Sequence, residues 1–169
     1  MAVPLFVCHA NCCRSVLAQY LYETLCPGTM ALSAGISPGD EINDRAAAML
    51  RCWGIDAGGH LPKAVDRSLC DRADGIFTMG PEYLRQVLDQ CGTDLAAKAY
   101  LFADPFSVPQ SLQHGEYFVF DPSFENRPVA ELVAEFDWFR ERVLQIHDAL
   151  NGEGKTLVPA SHYLSLLSV

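Results

Sequence analysis

Apolar and polar positions along the chain alternate between two periods, and each change of period marks an element. Residues 4–7 form a continuous apolar run suited to a buried strand, after which Val16, Leu17, Tyr20, Leu21 and Leu25 recur at helical spacing. Cys26-Pro27-Gly28 stops that helix. A second strand is predicted over 30–33, delivering Ser33-Ala34-Gly35 at its end. Asn43 is placed to cap a helix over 44–53 with Ala46, Met49, Leu50 and Trp53 on its apolar face, and Gly54 is placed to end it. A short helix is expected over 65–69 and a third strand over 75–79. Pro81 then starts a helix with Tyr83, Leu84, Val87, Leu88 and Cys91 on one face, followed by a fourth strand over 99–102. Residues 104–120, with Pro105, Pro109 and Gly115, read as a long surface loop near function that ends in Asp121-Pro122. Pro128 opens what reads as the longest helix, a single stripe of Leu132, Phe136, Phe139, Val143, Ile146 and Leu150 ended by Asn151-Gly152.

Strands alternating with helices predict an α/β fold: a single domain with a four-stranded parallel sheet and helices on both faces, an α/β/α sandwich. The domain is assigned to residues 1–151. Residues 152–169 form a C-terminal tail, apolar enough over 157–169 to dock on the domain or on a partner.

Composition narrows the function. With 169 residues, 50% hydrophobic and 20% charged, the chain has the material for one substantial core. A formal net charge of -9 argues against nucleic acid and anionic membrane as partners and leaves basic partners or small substrates. No basic-then-apolar leader and no stretch long enough to span a membrane is seen. Seven cysteines, an odd number scattered through an apolar chain, do not read as a secreted disulfide framework. The expected location is the cytoplasm. The oligomeric state stays open.

The chemistry is concentrated in Cys8-His9-Ala10-Asn11-Cys12-Cys13-Arg14-Ser15, a strand-to-helix turn. Such a turn directs backbone N–H groups and the positive end of a helix at one small volume, where an anion is held and a thiol loses its proton readily. Cys8 is the candidate nucleophile, and Arg14 can clamp two phosphoryl oxygens bidentately. His9, Ala10, Asn11, Cys12, Cys13, Arg14 and Ser15 are the candidate phosphate-binding residues, the loop amides holding the remaining oxygens. Ser15 is placed to hydrogen-bond the thiolate, with simple helix capping as the alternative. Asn11 is placed to brace the loop, with a plain turn role as the alternative. The leaving oxygen needs a proton, and Asp121 is the first candidate acid and base, Asp104 the second.

A zinc site from Cys8, His9, Cys12 and Cys13 lacks a second ligand pair at the right spacing, so no metal and no cofactor is expected. His9 is expected to point away from the pocket. His60, His114, His147 and His162 stand alone in the sequence, and Cys26, Cys52 and Cys91 read as core thiols.

The chain resembles the low-molecular-weight protein tyrosine phosphatase family, whose fold also serves thioredoxin-coupled arsenate reductases. The resemblance runs from about residue 3 to residue 150. It rests on Cys8 to Ser15 with Asn11 in place, on Ser33-Ala34-Gly35, on Gly54-Ile55-Asp56 with His60 after it, on 74–79 and on Asp121-Pro122. It implies catalysis by Cys8, Arg14 and Asp121, no metal, and a reversible disulfide in which Cys13 protects Cys8 from overoxidation.

The departures bear on substrate. Ala10 stands for the usual glycine and Val16 for the usual proline. An aromatic residue is missing near Gly39, and Ser123 replaces the aromatic after Asp-Pro, although Phe124 follows. Cys12 replaces the isoleucine of tyrosine-specific members and the threonine of phosphoarginine phosphatases. The expected activity is hydrolysis of a phosphorylated protein or small phosphomonoester, phosphotyrosine first and phosphoarginine second. Arsenate reduction is a rival, although after Cys70 the next cysteine is as distant as Cys91. A catalytically weak phosphate-binding or redox-sensing module is the third class.

Overall fold

The computed structural model describes residues 1–113 and 115–167. His114 and the last two tail residues, Ser168 and Val169, lie outside the described residues. Four strands, β1 (Pro4–Cys8), β2 (Leu32–Gly35), β3 (Gly75–Thr78) and β4 (Ala99–Leu101), form one parallel sheet in the order β2-β1-β3-β4. Order reverses between β1 and β3, so the carboxyl end of β1 opens into a crevice where α/β sheets hold ligands.

Among the described residues seven α-helices accompany the sheet: α1 (Arg14–Leu25), α2 (Asp44–Cys52), α3 (Arg67–Arg72), α4 (Pro81–Cys91), α5 (Val129–Glu135), α6 (Asp137–Leu150) and α7 (Leu164–Leu167). Alternate residues of β1 divide the core. Phe6 and Cys8 face the layer of α1, α2, α5 and α6, whereas Leu5 and Val7 face α3, α4 and the tail. On the first side a chain of rings, Phe77 to Phe6 at 5.9 Å, Phe6 to Phe102 at 6.0 Å and Phe102 to Phe139 at 4.6 Å, ties β1 and β3 to α6. On the second side Ala160, Tyr163 and Leu167 are buried. The Val158 N–H donates to the Pro105 carbonyl at 2.8 Å, and Arg85 Nε donates to the Leu167 carbonyl at 2.8 Å. Asn43 caps α2 as expected, its side chain accepting from the Arg45 and Ala46 amides. Among the described residues no helix is long and apolar enough to cross a membrane.

Several elements differ from the sequence expectation. Strand β2 starts two residues late, because pairing with β1 begins at Leu5 opposite Leu32, and Met30 is left exposed. Helix α3 is shifted to Arg67 because Asp66, whose side chain accepts from the Leu69 amide, caps it. The longest predicted helix is two helices. Phe136, at φ -92° and ψ 12°, donates to the carbonyls of both Leu132 and Val133. This tightened turn lets Phe136 and Phe139 both enter the core while Trp138 stays at the surface. The apolar stripe runs through the turn without interruption, so periodicity does not show it. Cys26 and Cys91 are buried as expected, but Cys52 is exposed at the end of α2.

Candidate active site

The loop from Cys8 to Arg14 is shaped by where its carbonyls go. The Cys8, His9 and Ala10 carbonyls accept from the amides of Ile36, Ser37 and Gly39 at 3.1, 2.9 and 2.9 Å. The Asn11 carbonyl meets His60 Nε2 at 2.9 Å, the Cys12 carbonyl accepts from Asn43 N–H at 2.9 Å, and the Cys13 carbonyl starts α1 by accepting from Leu17 at 2.8 Å. In a trans peptide the following N–H points opposite to the C=O. Six carbonyls turned outward therefore turn the amides of His9, Ala10, Asn11, Cys12, Cys13 and Arg14 toward the pocket, at the positive end of α1. Two glycines permit this packing. A Cβ on Gly35 would lie 2.7 Å from the backbone of His9, Ala10 and Asn11, and one on Gly39 would lie 2.6 Å from the Cys12 sulfur.

Asn11 sits in the left-handed region at φ 54°, where asparagine is tolerated better than most residues. Its Nδ2 donates to Ser15 Oγ at 3.0 Å and to Ser33 Oγ at 2.9 Å, and its Oδ1 accepts from the Lys63 amide at 3.0 Å. Ser33 Oγ in turn donates to Gln19 Oε1 at 2.5 Å. Ser15 Oγ, which accepts from Asn11, lies 3.0 Å from Cys8 Sγ, within hydrogen-bond reach of a thiolate there. Ser15 lies inside α1 and does not cap it; Cys13 holds the cap position, without a side-chain cap bond. Asn11→Ala strands buried partners and strains the left-handed turn, for an expected loss of about 2–4 kcal/mol of unfolding free energy. Denaturant titration checks this, and a wild-type midpoint would mean that the network does not hold the loop.

Arg14 is buried and reaches across the pocket. Its Nη1 donates to the Val119 carbonyl at 3.1 Å, and its Nη2 meets Tyr83 Oη at 3.3 Å and Asp121 Oδ2 at 2.9 Å. Asp121 Oδ1 accepts from the Ser123 amide at 3.0 Å and hydroxyl at 2.6 Å. The loop carrying Asp121 is anchored at both ends. Val119 N–H donates to the Met79 carbonyl at 2.9 Å, while Arg45 on α2 donates through Nε to the Pro122 carbonyl at 3.1 Å and through Nη2 to the Arg127 carbonyl. Asp104 serves a local turn, accepting from Phe106 N–H at 3.1 Å and Ser107 Oγ at 2.6 Å, and does not line the pocket.

The resulting cavity, about 300 Å³, is lined by the loop together with Asn43, Tyr83, Asp121, Ser123 and Phe124. Cys8, Ala10, Cys12, Cys13 and Arg14 all contribute to its surface. His9, expected to face away, is part of that lining, its ring 6.2 Å from that of Tyr83. Burial pushes the Cys12 thiol up, and burial followed by the charge of Asp121 pushes the Cys13 thiol up further. An anion entering here meets amides, a guanidinium and a sulfur, with a carboxyl group on the opposite wall.

Three residues have a place in the site that the sequence does not assign. His60, which follows Gly54-Ile55-Asp56 in the family resemblance, is buried against the loop, and burial pushes its imidazole below the usual range, toward the neutral form. Tyr83 continues the apolar stripe of α4, which hid its place in the pocket wall. Arg45 carries no motif, and its partners lie 77 and 82 residues away. Cys70 and Cys91, remote in sequence, do meet thiol to thiol, but in the core half on the other face of the sheet from Cys8.

Comparison with known proteins agrees with this architecture. The family model described as low molecular weight phosphotyrosine protein phosphatase matches residues 4–155. The chain is 36% identical over 85 residues to the "Probable low molecular weight protein-tyrosine-phosphatase EpsP" of Ralstonia solanacearum, a match covering 49% of this chain and 59% of the relative. It is 29% identical over 118 residues to the low molecular weight protein-tyrosine-phosphatase Ptp of Acinetobacter johnsonii, covering 68% and 82%. Among solved structures, the YwlE arginine phosphatase from Geobacillus stearothermophilus superposes with a TM-score of 0.72 at 22% identity, over 90% of this chain and 94% of that one. Its likeness is one of fold. By the extent of the family match, this chain belongs to the low molecular weight phosphotyrosine protein phosphatase family.

Proposed function

We propose that the protein hydrolyses phosphomonoesters, protein phosphotyrosine first among them, through a phosphoryl group carried on Cys8. The observation that supports this best is the meeting of Asp121 with Arg14 at 2.9 Å across a pocket whose loop carbonyls are all turned away. In this reading the Cys8 thiolate attacks phosphorus, Arg14 and the loop amides hold the equatorial oxygens, and Asp121 protonates the departing oxygen. Asp121 then takes a proton from the water that attacks the cysteinyl phosphate. The Ser15 hydroxyl stabilises the sulfur anion as it leaves. No metal is required by these steps.

Tyr83 and the exposed Phe124 supply aromatic walls that the sequence around Gly39 lacks, and such walls suit an aryl phosphate. The small side chain of Cys12 in the pocket lining, its sulfur bonded to the Ala10 carbonyl at 3.2 Å, supports phosphoarginine as the second substrate. Arsenate reduction is disfavoured, since Cys70 and Cys91 are buried away from Cys8. Cys13 fits the protective role, condensing with a peroxide-formed Cys8 sulfenic acid to give a disulfide and water. The test is turnover of an aryl phosphate, a phosphotyrosine peptide, phosphoarginine and arsenate in parallel. The expected order places the phosphotyrosine peptide first in kcat/KM. Absence of any phosphate release would refute the proposal, and preference for phosphoarginine would reassign its substrate.

A further inference from the structure

Tyr83 lines the pocket wall through its ring and also reaches Arg14 through its hydroxyl, a contact that the proposed chemistry does not use. Its hydroxyl accepts from Arg14 Nη2 at 3.3 Å, and the guanidinium carbon lies 5.5 Å from its ring centre. The ring itself is fixed by neighbours. Phe118 meets it edge-on at 5.9 Å, and Phe118 rests where a Cβ on Gly80 would fall, 2.5 Å away.

The hydrogen bonds of Arg14 are unevenly distributed. Nη1 is held by the Val119 carbonyl, Nη2 is shared between Tyr83 and Asp121, and Nε is buried without a partner among the described residues. A phosphoryl group bound bidentately on the Nε edge needs Nε and one N–H of Nη2. One of the two groups on Nη2 must then let go. Asp121 and the incoming phosphate are both anions competing for one cation, so the carboxylate is the group expelled. Tyr83, a neutral acceptor, is not repelled and keeps its N–H.

We propose that Tyr83 is the positioning residue that holds Arg14 in its phosphate-binding orientation while an incoming phosphate displaces Asp121 from the same nitrogen. The inference rests on the phosphatase reading for its purpose, since the displaced carboxylate, no longer paired with Arg14, takes up a proton from solvent and then delivers it to the departing oxygen. It explains how one aspartate can be the counter-ion of Arg14 in the empty pocket and the acid in the filled one. The exchange occurs at Nη2, and Tyr83 keeps the guanidinium from following the carboxylate.

Binding of inorganic phosphate, measured by calorimetry on the whole chain, tests this without turnover. Tyr83→Phe keeps the ring contacts and removes the hydroxyl; it should weaken phosphate binding about tenfold, the effect of losing one hydrogen bond to a charged group. Asp121→Asn should tighten phosphate binding, because the competing charge is gone. Opposite signs are the signature of the exchange. In turnover, Tyr83→Phe should raise KM with kcat nearly kept, whereas Asp121→Asn should lower kcat. Phosphate binding by Tyr83→Phe within about twofold of wild type, or weakening in both variants, would overturn the proposal. Opposite shifts in a protein that hydrolyses nothing would sustain the role of Tyr83 and refute the phosphatase reading instead.

Discussion

Replacing Cys8 with serine is expected to lower turnover by at least about 10⁴-fold while leaving phosphate binding and stability close to wild type. The exchange of sulfur for oxygen changes little in size, and the outward hydrogen bonds of the loop carbonyls do not involve the side chain. The bond to Ser15 survives as a hydroxyl pair. What is lost is the nucleophile, because a serine hydroxyl is far harder to ionise than a thiol and has no adjacent base here to take its proton. Initial rates together with phosphate calorimetry check both halves of the expectation. Retained activity would exclude Cys8 as the attacking group, and lost phosphate binding would place its role in the loop's architecture.

Asp121→Asn should divide substrates by leaving group. For a phosphate ester whose departing alkoxide must be protonated, kcat is expected to fall about 10²–10⁴-fold, the usual contribution of a positioned acid. For a nitrophenyl ester, whose phenolate departs without help, the phosphorylation step should be nearly unaffected. The amide oxygen can still accept from the Ser123 amide and hydroxyl, so the turn that carries residue 121 is kept while the ion pair with Arg14 is lost, and the contrast between the two esters reports the proton. Asp104→Asn provides the contrast. Its carboxylate is occupied by Phe106 N–H and Ser107 Oγ outside the pocket, so kcat should not change. Equal losses on both esters in the phosphorylation step itself, measured as release of the first alcohol or phenol, would move the acid role to another group.

The parts of this site legible in the sequence are those whose geometry is local. Cys8, Arg14 and Ser15 lie in one strand-to-helix turn, so their spacing alone brings them together around an anion. Asp121 was legible by its chemistry: a carboxyl group beside a proline at the end of a long loop. Tyr83 was hidden because a pocket-facing tyrosine and a core-facing one obey the same helical period. His60 and Arg45 act on carbonyls 49 to 82 residues away, and no local pattern encodes such partners. In the fold, the strands were placed to within two residues because each is an isolated apolar run. The break at Phe136 was invisible because the apolar stripe of α5 continues into α6, and only the competition of Phe136, Trp138 and Phe139 for the same core space tightens the turn.

Catalysis by Cys8 requires a covalent phosphoryl intermediate on its sulfur. Mixing the enzyme with a nitrophenyl phosphate, quenching within the first turnovers and sequencing the labelled peptide by mass spectrometry should place one phosphoryl group on the sulfur of Cys8, with none in Cys8→Ser. Product release without a phosphorylated intermediate, or a phosphoryl group on any other residue, would contradict it.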